Sequence, residues 1–370
     1  MTDQQTTSWI GVPAAQRRAH ISQYVAFTPG LKAAVAVVDD LYDTWREAPE
    51  GEISFIQGET RAGKTTALDE FILDKHEWFS KYYKCRKDFT VQPLGEDPAF
   101  WAIEIDTPNG YLRPIVKVQV SKKPKYRSLF ADVLATMGCR HIPDSMTGDA
   151  RLKLMTTQMR EQQTRCIAFD EVHHISEYKD PEGTYDAGDV FKIVAKNARV
   201  GVLCVGLPHM MELVDANVQV RELVRATYTF EPFRLDLDPS SDLKKFMTAL
   251  NEQMPFDQPS YLDQDDIVLR IALMNDMFTG RIAKFVHRVV GYAIDVGAPC
   301  VDLQTLADYV RIKLEIKDQT NIFLVARDVI EAYPALMAKE RKERMLVAEK
   351  RRIKAAQHHR TKPAFGVRGQ

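Results

Sequence analysis

The sequence predicts an α/β protein whose core is a mostly parallel sheet, followed by a small helical domain. Short, nearly continuous apolar runs at 53–56, 166–169 and 200–205 alternate with segments of helical periodicity. Strands of this kind are typical of a sheet that helices cover on both faces. Residues 242–316 instead show the periodicity of four helices, with no strand among them. We therefore expect a parallel-sheet core and a separate helical domain.

The individual elements follow from turn signals and periodicity. Thr28-Pro29-Gly30 predicts a turn before a helix over 31–45. The stretch 76–110 has little periodicity and is expected to be an insertion, with a hairpin around 100–105. The other predicted elements are a strand at 53–56, a helix from 65, a strand at 114–120, helices at 126–138 and 150–161, strands at 166–169 and 200–205, and a helix over 320–357. The predicted domains are an N-terminal segment (1–50), a core (51–237), a helical lid (238–318) and a basic helical tail (319–370).

Composition limits the class of protein. The chain has 370 residues, of which 45% are hydrophobic and 27% charged, so two or three globular domains are expected. No run approaches the roughly 18–20 apolar residues of a membrane span, and the first residues lack the apolar core of a signal peptide. Five cysteines without a close pair indicate reduced thiols. We expect a cytoplasmic protein that does not bind membranes.

Charge is distributed unevenly along the chain. From Lys339 onwards there are 11 Lys and Arg against 3 Asp and Glu, a balance of +8, whereas residues 1–338 carry 39 against 48, a balance of -9. Such a basic tail is typical of a solvated helical face, a nucleic-acid arm or a docking peptide for an acidic partner. Its charge alone does not distinguish these alternatives.

The strongest motif is a complete GxxxxGK[ST] P-loop, which directly follows a predicted strand and precedes a predicted helix. Its glycines allow backbone N–H groups to turn towards phosphates, and the helix N-terminus adds its positive dipole end. Lys64 is expected to reach the β and γ phosphates of ATP, and the Thr65 hydroxyl to hold Mg²⁺. The predicted nucleotide-binding residues are Gly58, Thr60, Arg61, Ala62, Gly63, Lys64, Thr65 and Thr66.

A second motif follows the P-loop by about 110 residues, where the apolar strand 166–169 ends in Asp170 and Glu171. This is a Walker B arrangement, in which Asp170 would support Mg²⁺ and Glu171 would polarise the attacking water. The acidic pair favours hydrolysis over kinase chemistry, because a base for water is present and no motif for an acceptor substrate is evident. For His173 and His174, which come next, we expect a structural role, or a role in supporting the neighbouring site residues, rather than metal binding.

Three arginines are candidates for contact with the γ-phosphate. Arg221 and Arg225 are predicted to share one face of a helix that leads into a strand, so that one of them could act as an arginine finger on a neighbouring copy. The alternative is a pair of surface arginines that bind Glu222 or Asp215. Arg281, at the start of a predicted helix, is either a nucleotide-sensing residue or a surface arginine.

These motifs, the run Val205-Gly206-Leu207-Pro208 after a strand, and the helical lid together resemble the AAA+ ATPases of transposons. More narrowly, the chain resembles the TniB/TnsC family of target-selection regulators, and more distantly the Mu B protein. The resemblance covers roughly residues 20–300. It implies an ATPase that assembles on duplex DNA as a ring-like or helical, hexamer-like oligomer, receives a target-selection protein of TniQ type, and recruits the transposase. It also implies a bacterial protein associated with the nucleoid.

The resemblance further implies roles for particular residues. Lys64, Thr65, Asp170 and Glu171 correspond to the ATP site, and Arg225 is the better match for the finger. The family's sensor position, which often holds a small polar residue, is Leu207 in this sequence, so slow hydrolysis is expected. DNA-binding residues are expected in and before a basic loop, at Lys117, Lys122, Lys123, Lys125 and Arg127. A solvated loop is the alternative, and the tail is assigned to partner recruitment first and to DNA second.

Two other functions remain open at this point. A helicase loader or another DNA-remodelling AAA+ protein of replication or repair would use the same ATP site, and stimulation of strand transfer would distinguish the two. A STAND-type nucleotide switch would usually carry a long repeat or effector domain, whereas only about 50 residues follow the predicted lid.

Overall fold

The computed structural model describes residues 8–47, 50–95, 97–177 and 188–331. The predicted basic tail beyond residue 331 lies outside these ranges. The chain divides into two compact units. An α/β unit comprises residues 25–233 together with 278–281, and a helical unit comprises the described parts of 1–24, 234–277 and 282–370. The predicted N-terminal segment 1–50 is thus divided between the two units.

Strands and helices of the described residues are numbered in chain order. The strands are β1 (Ile53–Gly58), β2 (Thr90–Leu94), β3 (Phe100–Thr107), β4 (Gly110–Leu112), β5 (Ile115–Gln119), β6 (Cys166–Asp170), β7 (Gly201–Gly206) and β8 (Val224–Phe230). The helices are α1 (Ala14–Gln23), α2 (Pro29–Asp43), α3 (Lys64–Tyr83), α4 (Tyr126–Thr136), α5 (Gly148–Glu161), α6 (His173–Glu177), α7 (Asp189–Ala198), α8 (Glu212–Asp215), α9 (Val218–Glu222), α10 (Asp242–Glu252), α11 (Asp265–Met274), α12 (Thr279–Asp295), α13 (Leu303–Lys313) and α14 (Arg327–Glu331). Short 3-10 helices cover Pro208–Met211 and Asp318–Thr320.

All eight strands form one sheet in the order β2-β3-β5-β6-β7-β1-β8, with β4 beside β3. The pairs from β5 through β8 are parallel, whereas β3 pairs antiparallel with β2, β4 and β5. Parallel strands present their carboxyl ends at one edge of the sheet, which is where ligands bind in folds of this kind. The predicted α/β class with a mostly parallel sheet is confirmed.

Each central strand buries side chains on both faces of the sheet. On one face, Phe55, Val118 and Phe169 pack with α4, α5 and α7, and on the other, Ile56 and Ala168 pack with α2 and α3. Because successive side chains in a strand point to opposite faces, a strand between two helical layers needs apolar residues at consecutive positions. This requirement explains the near-continuous apolar runs in the sequence.

The segment 76–110 differs from the expected insertion of low periodicity. Its first part completes α3, which continues to Tyr83, and its second part forms β2, β3 and β4. The predicted hairpin is present, since β3 pairs with β2 on one side and with β4 on the other. The segment therefore extends the parallel sheet by an antiparallel edge.

The helical unit contains the four helices predicted between 242 and 316, which are α10 to α13. The helix predicted from residue 320 is not continuous, because residues 321–326 form a loop that the Asn321 side chain stabilises. This side chain donates to the Ala307 carbonyl at 2.9 Å and accepts from the Phe323 N–H at 3.1 Å. A short helix, α14, follows this loop. Among the described residues, no helix has the length and apolar character needed to cross a membrane.

Candidate nucleotide-binding site

The P-loop connects the end of β1 to the start of α3, and two of its glycines are required by the backbone. Gly63 has φ of 115°, in the left-handed region that favours glycine, and it is the residue before the first turn of α3. A Cβ atom on Gly58 would lie 2.8 Å from Cβ of Phe230. Arg61 also has positive φ, at 64°. The loop is therefore a tight turn that leads into the N-terminus of a long helix, as phosphate binding requires.

Lys64 is buried at the base of this loop. Its Nζ donates to the carbonyl oxygens of Gly58 at 2.8 Å and Glu59 at 2.9 Å, so two of its three N–H groups hold the loop in its turned conformation. Burial lowers the pKa of Lys64, and the nearby carboxylates of Glu171, Asp170 and Glu59 oppose that shift. A buried ammonium bound only by neutral carbonyls is a suitable partner for the phosphates of a nucleotide.

Thr65 and Asp170 form the part of the site that fits Mg²⁺. Although 105 residues separate them in sequence, the Thr65 hydroxyl donates to Oδ2 of Asp170 at 3.0 Å. Burial raises the pKa of Asp170, while hydrogen bonds from the Glu171 N–H and the Thr65 hydroxyl oppose the rise. A carboxylate and a hydroxyl oxygen beside a phosphate cradle are the ligands that Mg²⁺ uses in nucleotide sites, with water and phosphate as the others. The donor set therefore fits this ion.

Glu171 stands beside Asp170 at the end of β6 with a left-handed backbone, at φ of 57°. Its N–H donates to Oδ1 of Asp170 at 2.8 Å, and its side chain is one-third exposed. Its Oε2 atom lies 3.3 Å from Nε2 of His173 and 4.0 Å from Nε2 of His174. The carboxylate therefore reaches solvent at the same edge of the sheet as Lys64, which is the position expected of a group that polarises water.

The potential metal-ligating atoms of Glu171, His173 and His174 lie within 4.8 Å of one another. The tautomer of His173 argues against ligation, because the Leu207 N–H donates to its Nδ1 at 3.5 Å. Burial lowers the pKa of His173 to about 4, so the ring is neutral and its proton is on Nε2, the nitrogen that faces Glu171. A protonated nitrogen cannot bind a metal ion, and the geometry favours a hydrogen-bonding role.

Arg221 and Arg225 do not share a helical face, contrary to the prediction from their spacing. Arg221 is in α9, whereas Arg225 is in β8. Residues 224 and 226 of β8 pair with the consecutive residues 53 and 54 of β1, so Arg225 is an extra residue that forms a bulge. Such a bulge redirects a side chain. Arg225 binds Oδ2 of Asp40 through Nε at 2.5 Å and Oε2 of Glu52 through Nη1 at 2.7 Å. It is therefore held within its own chain.

Both arginines lie at the amino end of β8, remote from the P-loop of the same chain. The bulge beside Arg225 adjoins Ile53, the first residue of β1, and the P-loop begins at the last residue of that strand, Gly58. Five steps along a strand span roughly 17 Å. In this chain the arginines are thus at the opposite edge of the sheet from Lys64.

Arg281 lies beside the P-loop. Its Nε donates to the Thr60 carbonyl at 3.2 Å, and a Cβ atom on the preceding Gly280 would lie 2.5 Å from the Arg61 carbonyl oxygen. The guanidinium is also stacked over the ring of Phe278. The structure therefore brings this predicted residue to the loop that it was expected to reach, through a backbone contact.

The expected DNA-binding residues fall into two groups. Lys122, Lys123, Lys125 and Arg127 are exposed in the loop between β5 and α4 and at its junction with that helix. Lys117 is different, because its side chain is 3% exposed and forms an ion pair with Asp69 of α3 at 2.5 Å. The expectation that Lys117 contacts DNA is corrected by this burial: strand alternation turns it towards α3, on the same face as Ile115.

The loop after β5 is positioned next to the ATP site by a backbone contact. The Val120 N–H donates to the Asp170 carbonyl at 2.8 Å, which continues the pairing of β5 with β6 by one residue. The four exposed basic residues thus follow directly from a strand that borders the Walker B residue. A single backbone hydrogen bond therefore connects the Walker B residue to the strand that leads into this loop.

The parallel sheet and the P-loop at the end of its strand β1 together define the fold of a P-loop nucleotide-binding protein. The fold is similar to that of Cdc6p from Pyrobaculum aerophilum, with a TM-score of 0.52 and 13% identity over 84% of this chain and 73% of that protein. It is also similar to the Aeropyrum pernix Orc1 protein in complex with DNA, with a TM-score of 0.50 and 12% identity over 86% and 69% of the two chains. At these identities, the comparison concerns the fold alone.

The family model described as Bacterial TniB protein matches residues 103–233, which include the Walker B strand and both arginines. The predicted resemblance to the TniB family is thereby confirmed over this segment. No curated protein sequence matches the chain.

Sequence reasoning missed two functional features of the site. The contact of His173 with Glu171 was not foreseen, because it depends on the end of β7, some thirty residues further along the chain. The ion pair of Lys117 with Asp69 could have been found, since a lysine at the centre of a strand buried on both faces needs a partner of opposite charge.

Proposed function

We propose that this protein is an ATP-dependent, DNA-binding regulator of DNA transposition. It assembles on duplex target DNA with ATP and Mg²⁺, connects a target-selection partner to the transposase, and hydrolyses ATP to disassemble. The observation that supports ATP use is the convergence of Lys64, Thr65, Asp170 and Glu171 at one edge of the sheet. The observation that supports transposition is the TniB match over residues 103–233.

The division of labour among the ATP-site residues follows from their partners. Lys64 binds phosphate, Thr65 and Asp170 hold Mg²⁺, and Glu171 accepts a proton from the attacking water. Bound Mg²⁺ and ATP supply the electrophilic phosphorus and neutralise part of its charge. Slow hydrolysis is expected, because Leu207 offers no polar side chain at the position after β7.

Assembly between copies is supported by the location of Arg221 and Arg225. Because both are at the edge of the sheet opposite their own P-loop, either one reaches a γ-phosphate only on a neighbouring copy. Arg221 suits the finger role better, since its side chain is 56% exposed and its nearest carboxylate, of Asp215, is 3.9 Å away. Arg225 would first have to exchange its ion pairs with Asp40 and Glu52. ATP between two copies then stabilises the assembly, and hydrolysis releases it.

DNA contact is supported by the exposed basic loop Lys122, Lys123, Lys125 and Arg127. Such residues bind the phosphate backbone without reading sequence, and an oligomer sums many weak contacts. The solved Orc1 relative is in complex with DNA, which is consistent with a DNA-binding role for this fold. Binding should weaken steeply as the salt concentration rises.

Electron microscopy of the purified protein with duplex DNA tests the proposal. We expect oligomers on DNA with ATP or a non-hydrolysable analogue, and few with ADP. The Glu171→Gln variant should bind ATP and form persistent assemblies, whereas Lys64→Ala should form none. A protein that stays monomeric and does not bind DNA when saturated with ATP would contradict the proposal.

The finger is tested by a matched pair of variants. Arg221→Ala should keep its thermal stability and lose DNA-stimulated ATP hydrolysis, while Arg225→Ala should lose stability, because Asp40 and Glu52 are then left without their cation. Mixing Arg221→Ala with Lys64→Ala should restore part of the activity, since each supplies the residue that the other lacks. Full activity of Arg221→Ala alone would exclude it as the finger.

Transposition itself is tested by searching for a transposase gene beside this gene and by measuring strand transfer by its product. Stimulation that requires ATP supports the proposed role. Loading of a replicative helicase onto DNA without any effect on strand transfer would favour the helicase-loader alternative instead.

A further inference from the structure

His173 links the end of β7 to the side chain of Glu171. The chain after β6 turns sharply at Glu171, whose backbone is left-handed, and the Val172 N–H then donates to the Val205 carbonyl of β7 at 2.9 Å. This turn places the His173 ring beside Leu207, the residue that follows β7, with 6% of its side chain exposed. Nδ1 faces the Leu207 N–H at 3.5 Å, and Nε2 faces Oε2 of Glu171 at 3.3 Å.

Gly206 makes room for this ring. A Cβ atom at Gly206 would lie 3.3 Å from Nδ1 of His173 and 3.1 Å from its backbone nitrogen. On its other side, the ring packs edge-on against His209, whose Nε2 lies 2.9 Å from Oε1 of Glu177. The ring is thus confined by the backbone on one side and by a braced side chain on the other, which fixes its orientation.

We propose that His173 is a positioning residue for Glu171 and that the backbone of Leu207 in turn holds the His173 ring. The Leu207 N–H selects the tautomer of His173 with the proton on Nε2, and the Nε2–H group holds the Glu171 carboxylate in the orientation for accepting a proton from water. In this arrangement a backbone amide, relayed through an imidazole, orients the catalytic carboxylate. The inference rests on the proposed ATPase function.

The geometry explains why the relay matters for rate rather than for binding. Glu171 is one-third exposed and its backbone is strained, so without a partner its side chain has several orientations open to it. Misplacement of a catalytic group by about 1 Å can cost about 100-fold in rate. Nucleotide binding depends on Lys64 and the P-loop, and His173 contacts neither.

Two substitutions of His173 separate the functions of the two ring nitrogens. The amide nitrogen of Gln occupies approximately the position of Nε2, so His173→Gln retains a donor towards Glu171. The amide of Asn lies near the position of Nδ1, so His173→Asn retains only the partner of the Leu207 N–H. His173→Ala removes both contacts.

The measurement is steady-state ATP hydrolysis by the full chain with duplex DNA, together with nucleotide affinity and thermal stability. We expect His173→Ala and His173→Asn to lose at least about tenfold in kcat, with KM for ATP changed less than about twofold. We expect His173→Gln to recover most of the activity. Gly206→Ala, which keeps His173 but displaces its ring, should lose kcat as His173→Ala does.

Several results would overturn the inference. They are wild-type kcat in His173→Ala, recovery by Asn rather than Gln, or a loss in which nucleotide affinity and thermal stability fall together with kcat. These outcomes are distinguishable from failure of the proposed function. If the wild type itself does not hydrolyse ATP, both proposals are wrong, whereas an active wild type with fully active His173 variants contradicts the relay alone.

Discussion

Lys117 and Asp69 form an ion pair, and removal of Asp69 should destabilise the fold much more than removal of Lys117. The Lys117 side chain is 3% exposed, whereas that of Asp69 is 47% exposed. Removing the carboxylate in Asp69→Ala leaves an ammonium buried without its partner. Removing the ammonium in Lys117→Met leaves a carboxylate that water can solvate, and puts an apolar chain of similar length into an apolar space.

The expected losses in the free energy of unfolding follow from the general cost of leaving a buried charge without its partner. Breaking a buried pair by removal of one partner costs about 3–5 kcal/mol. Asp69→Ala should therefore lower the midpoint of thermal unfolding by about 10 °C, while Lys117→Met should cost less than about 1 kcal/mol. The double variant should recover most of the loss.

The assay is differential scanning fluorimetry without nucleotide, followed by urea unfolding of each variant. Lys117→Met should also bind duplex DNA as the wild type does, in contrast to Lys122→Ala. Equal destabilisation by the two single variants would refute the asymmetry and show that Lys117 is solvated.

Three further predictions concern the two units separately. Gly58→Ala should weaken ATP binding at least about tenfold in titrations with a fluorescent nucleotide, because its Cβ would lie 2.8 Å from that of Phe230 and the P-loop must shift. Thr65→Val should keep nucleotide affinity in EDTA but lose the additional affinity and the hydrolysis that Mg²⁺ provides, with Thr66→Val as the matched control. Burial lowers the pKa of His287 in the folded helical unit, so the unfolded state binds the proton more readily and stability should fall as the pH drops below about 6.5. Urea titrations at several pH values check this, and His287→Gln should show a flatter profile.

Elements and motifs could be predicted where residues that are consecutive in the sequence define them. The P-loop and the Walker B strand were found because consecutive residues define them. The prediction that Arg221 and Arg225 share a helical face was wrong. The strand β8 already begins at Val224, and β-branched and aromatic residues continue it. Spacing of four indicates a common face only if both residues are in the same helix.

His173 shows the limit of such reasoning. Nothing near it in sequence indicates that its ring would lie beside Leu207, because that proximity arises from the parallel pairing of β6 with β7. Sequence reasoning noted the apolar residue at the sensor position and inferred a missing contact. The structure indicates instead that a backbone N–H is present there, and a backbone donor has no signature in the residue type.

Lys64 and Lys117 together show how burial decides the role of a charge. Both are buried lysines of the α/β unit, and sequence alone assigned phosphate to one and DNA to the other. Their partners separate them: Lys117 is neutralised by the carboxylate of Asp69, whereas Lys64 donates to the carbonyl oxygens of Gly58 and Glu59, which carry no net charge. A buried cation without a carboxylate in direct contact is costly unless a ligand completes its environment. The positive charge that the fold leaves for a triphosphate is therefore that of Lys64, and a bound nucleotide should stabilise the unit most where the P-loop meets α3.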